Sequence, residues 1–376
     1  MEKLSRRDFL LSVSAATLAA AAMPAYGSPH SQRVFVASSK PGSILVFDWD
    51  PASAALTPVS QSGLLTNVEW VALRANREFL FAASEVDSFN GKPTGEVASY
   101  RVVNAEVQPL SARNSAGKGT CHVALDRTGR VLLAADYFGG SAASFLVTDG
   151  RLSPAVWTEQ YTEHGPNAAR QQSAHAHFGS FSPDNRFAYM NDLGGDCIHI
   201  YSLDTETAMM HANGIYHADP GCGPRTLHFH PNGHTTYSIN ELSSTVDLLE
   251  WSKSSGGLTR KMSYNLLPDD YHGPTNGCDT VISRDGKYVY FANRGNNTIY
   301  SFHANTDNGK LTPLGSFDCG GKTPRHFTFD PTERWMLVAN QNSDQISIFR
   351  RNPQTGLIRE TGKSVAVGAP MCIVFA

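Results

Sequence analysis

From residue 33 onward the apolar positions of this chain come in short runs rich in Val, Ile, Phe, Tyr and Ala, separated by Gly, Asn and Asp. Runs of that length bounded by turn formers predict β-strands. The runs also repeat. One type reads NVEWVAL, TCHVALD, AHFGSFS, PRTLHFH, GCDTVIS, PRHFTFD and MCIVF, which aligns Glu69, Cys121, His177, Arg225, Cys278, Arg325 and Met371 in one column. Successive members of that column lie 52, 56, 48, 53, 47 and 46 residues apart, the size of a propeller blade. A second type follows each first, as in VLLAAD, FAYMND, YVYFANR and WMLVANQ, and a third type follows the second, as in CIHIYSL and QISIFRR. The seventh copy of the second type, RVFVAS, stands at Arg33 to Ser38, ahead of every first-type run, whereas the last first-type run ends the protein. Start and finish are complementary. The pattern therefore predicts an all-β chain, one seven-bladed β-propeller over residues 28–376, its ring closed by pairing the C-terminal strand with the N-terminal blade and so leaving no large open sheet edge.

Antiparallel pairing returns the end of each second strand to the mouth where the first strand begins. It adds a second column at that mouth, read as Ser38, Ser84, Asp136, Asp192, Glu241, Arg294 and Gln341. The two columns place Glu69, His177, Arg225, Glu241, Arg294 and Arg325 around one opening, and the two-residue period of a strand adds His175 to the face of His177. Asp192 and Asp279 are expected as further contacts, with Arg225 free to pair with Glu241 and Arg294 with Asp279 or Asp192. His228 and His230 have the opposite parity to Arg225 and are assigned to packing or surface. Cys121 and Cys278 are expected to fill space between blades.

Composition agrees with a β fold: 41% hydrophobic, 17% charged, 32 glycines and 20 prolines. The net charge of −3 and the lack of a basic run beyond the N-terminus exclude nucleic acid as a partner. Against so few charges, a mouth with three arginines, a histidine and two carboxylates is a concentration that points to a binding or catalytic site. His175 and His177 form a metal-capable pair, but no further Cys or His completes a shell, and no metal or cofactor is expected. No nucleophile elbow, phosphate-binding loop or dinucleotide fingerprint occurs.

The N-terminus reads SRRDFLLSVSAATLAAAAMPAYG. Arg6-Arg7 followed by a short apolar stretch and small residues near Ala25-Tyr26-Gly27 predicts a twin-arginine signal over residues 1–27, cleaved on export. The expected location is the periplasm, with the twin-arginine export machinery as a partner and no stable membrane association after cleavage. Six cysteines beyond the signal, without a CxxC, leave disulfide pairing open.

The segments HFGSFSPDNRFAYMNDLGGDCIHIYSL, GPRTLHFHPNGHTTYSINELSSTVDLLEW and VISRDGKYVYFANRGNNTIYSF resemble the lactonase family of seven-bladed propellers, which includes propeller-type 6-phosphogluconolactonases and fungal carboxymuconate-lactonising enzymes. The resemblance covers the mature chain and is most specific between His175 and Phe349. It implies a site built on the His of the H-x-H segment, the Arg of G-P-R, the Glu of N-E-L and the Arg of N-R-G: His177, Arg225, Glu241 and Arg294. Thr226 stands where the family commonly has a His, at the parity opposite to Arg225.

The implied reaction is hydrolysis of a sugar δ-lactone. Glu241 or His177 would activate water, Arg225 and Arg294 would hold the oxyanion, and Arg325, His175, Glu69, Asp192 and Asp279 would contact the substrate. Export selects glucono-1,5-lactone. Clustered arginines instead suit an anionic substrate, as in a 6-phosphogluconolactonase or a carboxymuconate-type enzyme. A non-enzymatic ligand-binding propeller is the alternative from another class.

Overall fold

The structure is a computed structural model, and it describes residues 32–63 and 65–376. The signal segment expected at 1–27 lies outside the described residues.

Seven antiparallel sheets form the ring, six built from strands in sequence order and one that sets the C-terminal strand inside the first three. Six have four strands. In the remaining sheet the outermost position is divided between Arg151–Leu152 and Trp157–Gln160. The innermost strands are Val68–Leu73, Thr120–Leu125, Ala176–Phe181, Pro224–Phe229, Gly277–Ile282, Pro324–Phe329 and Pro370–Phe375. Neighbouring innermost strands pack side by side around the central channel. The last of them pairs with Gln32–Ser38, Val34 opposite Phe375 and Val36 opposite Ile373, so the two ends of the described chain share one sheet. That is the predicted closure.

Burial explains the composition of each strand. Second strands such as Val131–Asp136 and Tyr288–Asn293 are buried at every position, because a neighbouring blade covers each face. They are accordingly near-continuous runs of Val, Leu, Ala and aromatics. Outermost strands such as Leu311–Asp318 present most of their residues to solvent and read as mixed polar. The core lies between blades: Val34, Val36 and Trp49 of one sheet pack on Trp335, Leu337 and Ile346 of the next, with Trp49 and Trp335 edge to face at 6.1 Å. The inner-to-second turns are closed by a residue at positive φ, Gly233 at 77° in HPNGH and Asn185 at 63° in SPDNR.

Candidate active site

Every innermost strand is irregular at the same place. Pairing with the second strand skips Glu69, Cys121, His177, Arg225, Arg325 and Met371, and in the fifth blade the ladder breaks between Gly277 and Thr280, a gap that contains Cys278. These are the seven members of the first column. A bulged residue is released from the ladder and its side chain is re-aimed. Here four of the seven, Glu69, Cys121, His177 and Arg325, line one cavity of about 220 Å³. The same bulge moves His175 off the face of His177. It stands ahead of the strand, hydrogen-bonded through Nδ1 to the Tyr137 carbonyl at 2.9 Å and stacked on the Tyr137 ring at 4.5 Å, outside the cavity lining.

The second column needs a correction of one residue. The second strands end at Ser84, Asp136, Asp192, Asn240, Asn293 and Asn340, which are therefore equivalent. Their job is to secure loops. Asp136 accepts hydrogen bonds from Gly117 N and Thr120 Oγ1 at 2.7 and 2.6 Å, and Asp192 accepts from His175 N at 2.7 Å and Gly194 N at 2.9 Å. Cavity-facing residues come one position later. They are Glu85, Tyr137, Glu241, Arg294 and Gln341. The expected column had mixed the two registers, so it included Asp192 and missed Glu85 and Tyr137. Asp279 is also displaced. It follows the bulge and points deeper into the channel, its carboxylate oxygens 3.4 Å from His228 Nε2 and 3.8 Å from His326 Nε2. His228 accordingly belongs to the channel rather than to the surface. A wider cavity of about 700 Å³ opens at the far mouth, lined by Trp70, His122, Phe178, His228 and His326.

Glu241 organises the near mouth. It is buried, and three guanidiniums meet it: Arg294 Nη2 and Arg170 Nη2 at 2.5 Å and Arg225 Nε at 3.0 Å. Gly223, at φ 65°, accepts the Glu241 N–H at 2.7 Å and so ties the second strand's end to the start of the G-P-R strand. Burial alone would raise the pKa of Glu241, but Arg294, Arg225 and Arg170 overcome it and hold the carboxyl at about 2. Arg225 also donates to the Cys278 carbonyl and is itself buried behind this cluster. Arg170 donates to the Tyr137 hydroxyl at 3.1 Å. It lies in the loop between Gln160 and Ala176, which follows no blade periodicity, so no strand pattern could flag it.

Across the cavity Arg325 Nη2 lies 2.5 Å from Glu69 Oε2. Glu85 sits beside this pair, and burial, followed by the charge and hydrogen bond of Glu69, pushes its carboxyl up to about 8 against the pull of Arg325. Thus one mouth holds two carboxyls with opposed behaviour, one firmly ionised and one holding its proton at neutral pH. His177 completes the lining. Burial, then the charges of Arg225, Arg325 and Arg294, drive its pKa well below the ordinary value, so the ring is neutral. Among the described residues neither of its ring nitrogens has a hydrogen-bond partner, and Nδ1 is fully buried. The Cys121 thiol also reaches the cavity, but burial pushes it far above the range of a reactive thiolate. All six cysteines are free.

The family model described as Lactonase, 7-bladed beta-propeller matches residues 32–375. The chain belongs to the lactonase family of seven-bladed propellers. It is 30% identical to the 6-phosphogluconolactonase of Bacillus subtilis over 335 residues, covering 88% of this chain and 94% of that one. It is 31% identical to the 6-phosphogluconolactonase of Formosa agariphila, covering 87% and 94%. Among solved structures, the periplasmic gluconolactonase of Pseudomonas aeruginosa superimposes with a TM-score of 0.86 at 29% identity, covering 92% of this chain and 99% of that one. This lactonase is thus a carboxylic-ester hydrolase, and the mouth just described is where its fold concentrates ionisable chemistry. Among the described residues no helix is long and apolar enough to cross a membrane.

Proposed function

We propose that this lactonase opens glucono-1,5-lactone to gluconate in the periplasm, at the mouth containing His177, Glu241 and Arg294. The single observation that carries the mechanism is the division of labour between the carboxyls and the imidazole. Glu241, held near pKa 2 by three arginines, is too weak a base to take a proton from water near neutral pH. Its role is to gather guanidiniums. One carboxylate shared by Arg170, Arg225 and Arg294 leaves positive charge in excess, and Arg294 lines the cavity. A lactone carbonyl oxygen placed against Arg294 and Arg325 would gain stabilisation as it becomes an oxyanion, typically about 3 kcal/mol per well-placed donor.

His177 is the base. It is neutral, reaches the cavity and has no competing hydrogen bond. The arginine field that disfavours the imidazolium weakens as negative charge grows on the carbonyl oxygen, so proton transfer to His177 and oxyanion formation support each other. Water adds to C1, its proton passing to His177, and the tetrahedral intermediate then breaks the bond between C1 and the ring oxygen. Glu85, protonated below about pH 8, donates a proton to that departing oxygen. Gluconate leaves, and one proton is released as Glu85 and His177 return to their resting states.

Two features support an unphosphorylated substrate. The twin-arginine pattern at Arg6-Arg7 sends the chain to the periplasm. The cavity of about 220 Å³ is smaller than the roughly 300–1,000 Å³ usual for ligand pockets. A phosphorylated lactone is the second reading, favoured by the names of the Bacillus and Formosa relatives and by the excess of arginine. Base uptake at constant pH, corrected for spontaneous opening, separates the two. The mature protein should show the higher kcat/KM on glucono-1,5-lactone, and a preference for its 6-phosphate would overturn the substrate assignment.

A further inference from the structure

A second cluster of ligating side chains lies outside the cavity. Asp192 ends a second strand and Cys197 begins the third strand opposite it, the two forming a cross-strand pair. His199 is two residues on, hence on the same face as Cys197. Cys197 Sγ lies 3.4 Å from His199 Nε2, and Asp192 Oδ2 lies 3.9 Å from the same nitrogen. The donor atoms of these three buried residues all fall within 4.8 Å of one another. A fourth donor arrives from the loop ahead of Ala176: Glu163 Oε2, also 3.9 Å from His199 Nε2 and itself accepting the Thr162 N–H at 3.0 Å. Tetrahedral zinc holds N, O and S ligands at about 2.0–2.3 Å, which sets its ligand atoms on the order of 3.3–3.8 Å apart. The Cys197–His199 spacing of 3.4 Å falls in that range, the two carboxylate spacings of 3.9 Å lie just beyond it, and Glu163 stands at the edge of the three-residue cluster rather than within it.

An independent observation points to a missing partner. Asp192 is wholly buried, and its two oxygens are treated differently. Oδ1 accepts two backbone N–H groups, from His175 and Gly194, which fix the plane of the carboxylate, while Oδ2 is buried with no hydrogen-bond partner. A buried carboxylate oxygen without a donor is costly, and a cation at the centre of this cluster would satisfy it. His199 is oriented by stacking on Tyr161 at 4.1 Å, whose hydroxyl accepts from that of Tyr201 at 3.0 Å. Glu163 keeps about a third of its side chain in solvent, which gives an ion a way in.

We propose that Asp192, Cys197 and His199 hold a divalent transition metal of the zinc type, with Glu163 drawn in from its loop as the fourth, tetrahedral ligand. One thiolate, one imidazole and two carboxylates suit such an ion better than calcium or magnesium, which take oxygen ligands. The site would be structural, since four protein ligands leave no open position. It has a mechanical consequence. Glu163 and the Asp192–His175 contact bracket the segment that carries Arg170 to Glu241, so the metal would brace the loop that completes the arginine cluster.

The test uses the mature protein, stripped with chelator and titrated with Co²⁺. The site predicts one tightly held Co²⁺ per chain with a thiolate-to-cobalt charge-transfer absorption, lost when Zn²⁺ is added. Cys197→Ser should abolish that absorption, whereas Cys222→Ser, at the half-exposed cysteine, should keep it. Glu163→Gln alters only a surface loop side chain and guards against misfolding of the buried variant. It should weaken Co²⁺ binding by at least the roughly 10-fold that even an outer-shell loss costs. A wild-type protein that shows no charge-transfer band, or a band that survives Cys197→Ser, would overturn the assignment.

Discussion

Glu241 and Glu85 face the same cavity and titrate in opposite directions, so each leaves its own signature. Because Glu241 is held near 2, below the ordinary carboxylate range, the folded chain binds fewer protons than the unfolded one there, and its contribution to stability is lost as pH falls from about 4.5 towards 2. Removing its charge should be severe. Glu241→Gln leaves Arg170, Arg225 and Arg294 facing one another without a counter-ion, and denaturant titration should show a loss of about 3–5 kcal/mol. Glu85 has the reverse sign: raised to about 8, it gives the folded chain the extra proton, so stability declines as pH rises between about 4.5 and 8. In the proposed mechanism Glu85 protonates the leaving oxygen, and it should then set an alkaline limb in kcat near pH 8. Glu85→Gln is expected to lower kcat by about 10²–10⁴ and to flatten that limb, measured by base uptake across the range. His177, Glu241 and Arg294, which line this cavity, and Arg225, buried behind it, could be picked from the sequence because they stand in distinctive strings, H-x-H, N-E-L, N-R-G and G-P-R. Glu85 and Tyr137 were hidden by a counting problem. In FAASE and LAADY the polar residue closing the strand precedes the cavity residue, and sequence alone does not say which of two adjacent polar positions ends a strand.

At the scale of the strand, the bulge is what converts a repetitive fold into a site. Without it, a polar residue at the start of an inner strand would stay locked in the ladder; with it, the column residues are released, and Glu69, Cys121, His177 and Arg325 reach the cavity. The bulge also accounts for the misplaced His175 and Asp279, since a strict two-residue period fails across an extra residue. The closing strand Pro370–Phe375 is the element on which the ring depends. Ile373, 1% exposed, packs with Val34, Val36, Trp335 and Leu337 at the junction of two blades. Ile373→Ala should cost about 2–5 kcal/mol in denaturant unfolding, with no change in KM for the lactone. The strands themselves were readable because burial on both faces demands unbroken apolar runs, whereas the loop bearing Arg170 obeys no such constraint.

For the whole molecule, ring closure and charge distribution separate two tasks. The chain is poor in charge and its apolar core lies between blades, away from the mouth. The mouth concentrates four guanidiniums against two carboxylates plus a Glu85 that keeps its proton. That excess of positive charge suits the oxyanion that the proposed lactone opening would develop. The proposed export belongs to this scale as well: if the twin-arginine pattern directs it, replacing Arg6 and Arg7 with lysines should retain the protein in the cytoplasm, as cell fractionation would reveal. Lactone opening at this mouth with His177 as the base is decided by kcat for glucono-1,5-lactone in the wild-type and His177→Asn proteins, with the unfolding midpoint of each. In the variant kcat should fall by about 10²–10⁴ while the midpoint holds, because the imidazole makes no hydrogen bond whose loss would weaken the fold. A His177→Asn enzyme that opens the lactone at the wild-type rate would contradict it.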